Sequence, residues 1–109
     1  MKLNEYQDEA MKFASYPDVG KNIVYVTLGL VGESGETAEK VKKVIRDQGG
    51  IMLPHNKEAI IREISDCLWY LAALSAELGT DLETVAKINL EKLQSRKDRG
   101  VIGGSGDNR

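Results

Sequence analysis

The chain has 109 residues, enough for one small domain with a modest core and too few for multi-domain machinery, long repeat arrays or large barrels. Hydrophobic residues make up 41%, and 15 basic residues stand against 17 acidic ones for a net charge of −2. That balance excludes general disorder and argues against wrapping duplex DNA by bulk electrostatics. One cysteine, Cys67, and one histidine, His55, exclude an intramolecular disulfide and a finger-type zinc site.

The segments around Pro17 and Pro54 carry apolar residues at helical spacing, and none shows sustained period-two alternation, so the chain reads as all-α. A first helix is expected from about Leu3 to Tyr16, with Asn4 and Gln7 spaced like a capping box and Tyr6, Ala10, Phe13 and Ala14 along one side. A second runs from about Ile23 to Arg46. Gly29, Gly32 and Gly35 within it each cost about 1 kcal/mol relative to alanine. They either leave room for a neighbouring backbone or a ligand, or mark a kink or a later helix start. Gln48 to Asn56 reads as a loop, and a third helix from about Lys57 to Leu78 stops at Gly79. Thr80 and Glu83 form a capping box for a fourth helix ending near Arg99. The domain is thus 1–99, followed by the tail GVIGGSGDNR (100–109), flexible unless something orders it.

The carboxylates carry the chemistry. On the second helix the apolar stripe Val26, Leu30, Val41, Val44 and Ile45 has Glu33 and Glu36 side by side along one edge. On the third, Glu63 and Asp66 lie at the same angular offset from the stripe Ile60, Ile64, Leu68, Leu71 and Leu78. If the helices pack antiparallel through these stripes, both pairs border one cleft. Four carboxylates so close repel strongly, so some are protonated or divalent cations neutralise them. All-oxygen donors point to Mg²⁺, with Mn²⁺ also suited, and away from zinc. Neither pair ends in histidine, as a di-iron bundle would require. A single Glu-x-x-Glu in so charged a chain is ordinarily solvated surface; two pairs at matching offsets beside the core read equally as a metal site or as solvated faces.

Other polar groups fit around such a cleft. Lys40 shares the face of Glu33 and Glu36, as an ion-pair partner of Glu36 or a phosphate contact. Asn89, Lys92 and Arg96 share a face of the fourth helix, where Asn89 interrupts the apolar row Leu82, Ala86 and Leu93 and needs a partner, either substrate or a backbone group. Trp69 either stacks on a base or packs in the core, and Tyr70 lies on the face of Glu63 and Asp66. The basic run Arg96, Lys97 and Arg99 precedes a tail whose N–H groups would nest a phosphate if it closed over one; a solvated terminus is the plainer reading. His55 is assigned no chemistry.

The string GLVGESGETAEKVKK followed by EISDCLWYLA resembles the E-x-x-E then E-x-x-D signature of the MazG-like all-α nucleoside triphosphate pyrophosphohydrolases. The similarity spans roughly Asn4 to Arg99, from NEYQDEA to the pattern of Asn89, Lys92 and Leu93. It implies hydrolysis of nucleoside triphosphates to monophosphate and pyrophosphate with Mg²⁺ held by Glu33, Glu36, Glu63 and Asp66. It also implies a four-helix bundle-like subunit assembling as a homodimer or homotetramer, an assembly that the limited apolar burial of four short helices independently favours.

The expected mechanism is attack of a water on a phosphoanhydride, with one carboxylate as general base, Glu36 in preference to Glu33. The alternative is a non-catalytic helical interaction module whose carboxylates meet a basic partner. Binding of single-stranded nucleic acid is disfavoured by the acidic balance. No apolar run approaches a membrane span of roughly 20 residues, and MKLNEYQDEAMKF is unlike a signal peptide. A cytoplasmic protein is expected.

Overall fold

A computed structural model describes all residues, Met1–Arg109. There are four helices and no strands: α1 (Leu3–Met11), α2 (Ile23–Gln48), α3 (Pro54–Glu77) and α4 (Leu82–Asp98). The frame is the antiparallel hairpin of α2 and α3, whose partners run in opposite order from Gly29 beside Tyr70, through Lys40 with Glu63, to Gln48 with Asn56. The last pair closes the hairpin reciprocally, each side-chain amide donating to the other at 2.8 and 3.0 Å. The loop is shorter than expected. Pro54 opens α3, where its missing N–H costs nothing, so His55 and Asn56 lie in the helix.

The expected capping boxes at Asn4–Gln7 and Thr80–Glu83 do not form. The Asp81 carboxylate caps α4 by accepting from the Thr84 N–H at 2.8 Å. Gln7 and Asn4 also serve α4: Gln7 Oε1 accepts from the Leu82 N–H at 2.9 Å and Asn4 Oδ1 from the Glu83 N–H at 3.0 Å. Buried Gln7 further donates to the carbonyls of Ala72 and Thr80. The open donors of one helix's first turn are thus satisfied by another helix, which ties α1, α3 and α4 together. Gly79, at φ +72°, ends α3 in a Schellman turn, with Gly79 N–H donating to Ala76 and Thr80 N–H to Ser75.

The first helix stops at Met11, five residues short of expectation, and Phe13 is 77% exposed. The chain then crosses to α2 through a turn fastened to α3 by one side chain. The Glu77 carboxylate accepts from the Tyr16 hydroxyl and from the N–H groups of Gly20 and Asn22. Burial, and the hydrogen bond to Glu77, push the Tyr16 hydroxyl up to about 12. Tyr16 stacks on Tyr25 and meets Trp69 edge-on.

The two apolar stripes are only partly the packing seam. Val26 and Val44 are buried and Leu30 is half-buried, but Ile45 is exposed, as are Ile64, Leu71 and Leu78 on α3. The third helix turns Glu63, Cys67 and Tyr70 toward α2 instead and buries Ala72, Ala73 and Ser75. Small residues let the helices approach closely, leaving the larger aliphatics outside. Only 10 of 109 residues are buried, and the radius of gyration is 16.8 Å, against about 13 Å for a compact domain of this length.

The second helix runs unbroken through its three glycines, and only one of them is sterically required. A Cβ on Gly29 would lie 2.2 Å from the Tyr70 ring, whereas one on Gly32 or Gly35 meets nothing within 4 Å. Gly32→Ala is therefore expected to stabilise by up to about 1 kcal/mol through helix propensity. Gly29→Ala is expected to destabilise by about 1–3 kcal/mol, since the ring must be displaced. Urea unfolding of the two variants checks the opposite signs.

Candidate active site

Glu33 of α2 and Glu63 and Asp66 of α3 each bring a carboxylate oxygen within 4.8 Å of the others. They meet because Glu33 lies one turn beyond Gly29, where the seam is tightest, while Glu63 and Asp66 are one turn apart on the facing helix. Glu63 is the most covered, its side chain 12% exposed, and Lys40 Nζ reaches it across the seam at 2.9 Å. Lys40 is therefore the partner of Glu63 rather than of Glu36. Glu36, one turn beyond Glu33, is exposed and makes neither hydrogen bond nor ion pair.

Electrostatics separate the acids. Burial, followed by the Asp66 charge and by hydrogen bonding to Glu63, raises the Glu33 carboxyl above its ordinary range. Glu63 moves the other way, held down chiefly by its hydrogen bond to Lys40. Glu33 and Glu63 are thus shifted in opposite directions by their surroundings. All donors at the centre are hard oxygens without histidine or thiolate, the set that suits Mg²⁺ or Mn²⁺. Hydroxyls of Ser34 and Thr37 pack beside the Cys67 sulfur at 3.8 and 4.0 Å and bond back to their own helix, so they add no ligand.

Aromatic groups border the carboxylates. The Tyr70 ring lies over Gly29, and its hydroxyl is raised by burial, then by Tyr25 and the Glu33 charge. Tyr6 of α1 is raised by burial and by the Asp66 charge. Neither Tyr6 nor Tyr25 was singled out in the sequence as a site residue, because a tyrosine in an amphipathic stripe carries no mark of what faces it. Trp69 packs in the core cluster with Tyr16 and Val26, meets Tyr70 edge-on and donates its indole N–H to the Ala10 carbonyl. Its indole N–H is thereby committed to the backbone of α1, and the ring is half-buried.

The polar face of α4 is not brought to the carboxylates within the subunit. The fourth helix packs on α1 and α3 and makes no contact with α2. Asn89 is exposed, so its place in the row of Leu82, Ala86 and Leu93 demands no partner. Lys92 and Arg96 are engaged by Asp107 of the segment that follows the helix, at 2.6 and 3.1 Å. That segment is ordered, not a free tail. Four of its carbonyls point inward and accept from the Arg109 guanidinium.

A carboxyl whose folded-state pKa is raised holds more protons in the folded than in the unfolded chain just above its ordinary value. In the cation-free protein Glu33 therefore contributes a loss of stability as pH rises through that window, opposite in sign to the contribution of Glu63, whose carboxyl is lowered. Glu33→Gln is expected to flatten this loss and raise the melting temperature in chelator. Melting curves between about pH 4 and pH 7 check it, and an unchanged slope would mean that burial and the neighbouring acids do not raise the Glu33 carboxyl.

Two comparisons bear on this geometry. The family model described as the MazG nucleotide pyrophosphohydrolase domain matches residues 24–101, a span that includes Glu33, Glu36, Glu63 and Asp66. The Gene 37 protein of Mycobacterium phage L5 is 49% identical over 114 residues, covering the whole of both chains. No solved structure matches. With the family model covering well over half of the chain, the protein belongs to the MazG nucleotide pyrophosphohydrolase domain family.

Proposed function

We propose that the protein hydrolyses nucleoside triphosphates to nucleoside monophosphate and pyrophosphate in the presence of Mg²⁺. The observation that carries this reading is the convergence of Glu33, Glu63 and Asp66 within 4.8 Å, one of them with a raised pKa. Such a cluster is stabilised by a divalent cation. The three acids would hold the metal together with Glu36, and Mn²⁺ would serve in place of Mg²⁺. When bound, the metal supplies the positive charge that lets a triphosphate approach the acids and makes an attacking water more acidic.

The remaining roles belong to this chain's own side chains. Glu36, exposed and unpaired one turn from Glu33, accepts the proton of the attacking water. As that water's oxygen bonds to the α-phosphorus, the bond to the bridging oxygen breaks and pyrophosphate leaves. Lys40 neutralises Glu63 and stands at the rim for a phosphate oxygen. Tyr70 shapes the wall above Gly29. Asn89, Lys92 and Arg96 lie on a helix without contact to α2, so they reach the phosphates of a second subunit's site in a homodimer or homotetramer. The exposed aliphatics Leu28, Val31, Ile64, Leu71 and Leu78 support such an assembly, since burying apolar surface is favourable. No helix is long and apolar enough to cross a membrane, in keeping with a cytoplasmic nucleotide substrate.

The test is incubation of the purified protein and Mg²⁺ with a panel of canonical and modified nucleoside triphosphates, identifying the phosphate species released. Pyrophosphate is expected, and chelator abolishes its release. Glu36→Gln is expected to lower turnover by roughly 10²–10⁴-fold with helix content unchanged. Orthophosphate as the only product would point to another hydrolase. No release of either species would favour an interaction module.

A further inference from the structure

We propose that the cations at the end of α4 form a binding site for a phosphate chain and that Asp107, on the segment folding back from the helix, occupies it as a built-in competitor. The nucleotide identity of the ligand rests on the function proposed above; the polyanion chemistry does not. One Asp107 carboxylate oxygen accepts from Lys92 Nζ at 2.6 Å and from Arg96 Nη2 at 3.1 Å, and the same Arg96 nitrogen donates to the Asp107 carbonyl at 2.6 Å. Two cations converging on one anionic oxygen is the arrangement that clamps a phosphoryl oxygen.

The surroundings are built for an anion larger than one carboxylate. A cleft of about 300 Å³ lies between α4 and the segment, and no apolar side chain lines it. Lys92, Arg96 and Arg99 face it alongside Glu91 and Asp107, while the Arg109 guanidinium is turned away to backbone carbonyls and the Arg109 carbonyl oxygen accepts from Arg99 at 2.7 Å.

The segment is shaped to present Asp107 without joining the core. The Arg109 guanidinium donates to the carbonyls of Val101, Ile102, Gly103 and Gly106, so residues 101–109 wrap around one side chain. Gly104 and Gly106, at φ +92° and +89°, supply the reversals. The contact is also reversible in kind. The Asp107 side chain is 74% exposed, so its ion pairs are weak in water, whereas Arg96 is 11% exposed and remains a fixed cation when Asp107 leaves. A phosphate chain offers more oxygens and more charge, and it displaces the carboxylate.

The probe is inorganic tripolyphosphate, titrated calorimetrically into the full chain without Mg²⁺ or nucleotide, so that no turnover is involved. Asp107→Asn removes the competing charge and Arg109→Ala removes the group around which the segment folds. Each is expected to bind tripolyphosphate about threefold to tenfold more tightly than the parent. Adding Lys92→Gln to Asp107→Asn is expected to erase the gain. In the unaltered protein, saturating tripolyphosphate is expected to speed amide exchange over residues 101–109. Equal or weaker binding by both single variants overturns the proposal, as does unchanged exchange of the segment at saturation. Pyrophosphate release can fail while this titration succeeds, or the reverse, so the two readings stand or fall separately.

Discussion

Three acidic side chains held within 4.8 Å of one another are the constraint around which this fold is arranged. Like charges at that separation push the helices apart unless they are neutralised. The chain neutralises one with Lys40 and leaves Glu33 with a raised pKa. The hairpin holds the three in place: Gly29 admits the Tyr70 ring at one end, and Gln48 and Asn56 latch the other.

The supporting contacts serve the same hairpin. Glu77 gathers three donors from the connection before α2, and Gln7 gathers the ends of α3 and α4. Polar clamps of this sort substitute for a deep core, which the subunit lacks. The fully buried apolar side chains are few and mostly small, while long aliphatics on both faces of the hairpin stand in solvent.

The end of the chain is ordered by an unusual means for a glycine-rich stretch. Arginine side chains collect backbone carbonyls, and aspartate returns the charge to α4. The segment therefore packs against the basic face of the helix through Asp107.

Much of this was legible in the sequence. Helical spacing and two prolines located four helices, and the paired acidic motifs at matching offsets identified α2 and α3 as the elements that carry the carboxylates. Both signals are local: they depend on 3.6-residue periodicity and on residues three apart. The capping of α4 by Gln7 and Asn4 was not legible, because those groups bond across the chain while the sequence offered nearer partners. The seam was misread for a related reason. Periodicity shows that a helix has an apolar face but not which face its neighbour takes, and here α2 meets the face bearing Glu63, Cys67 and Tyr70. The sequence by itself determined the helices and the chemistry available on them. Only the tertiary structure decided that Glu33, Glu63 and Asp66 meet, that Lys40 pairs with Glu63, and that Asp107 closes on Lys92 and Arg96, since each depends on distances between residues remote along the chain.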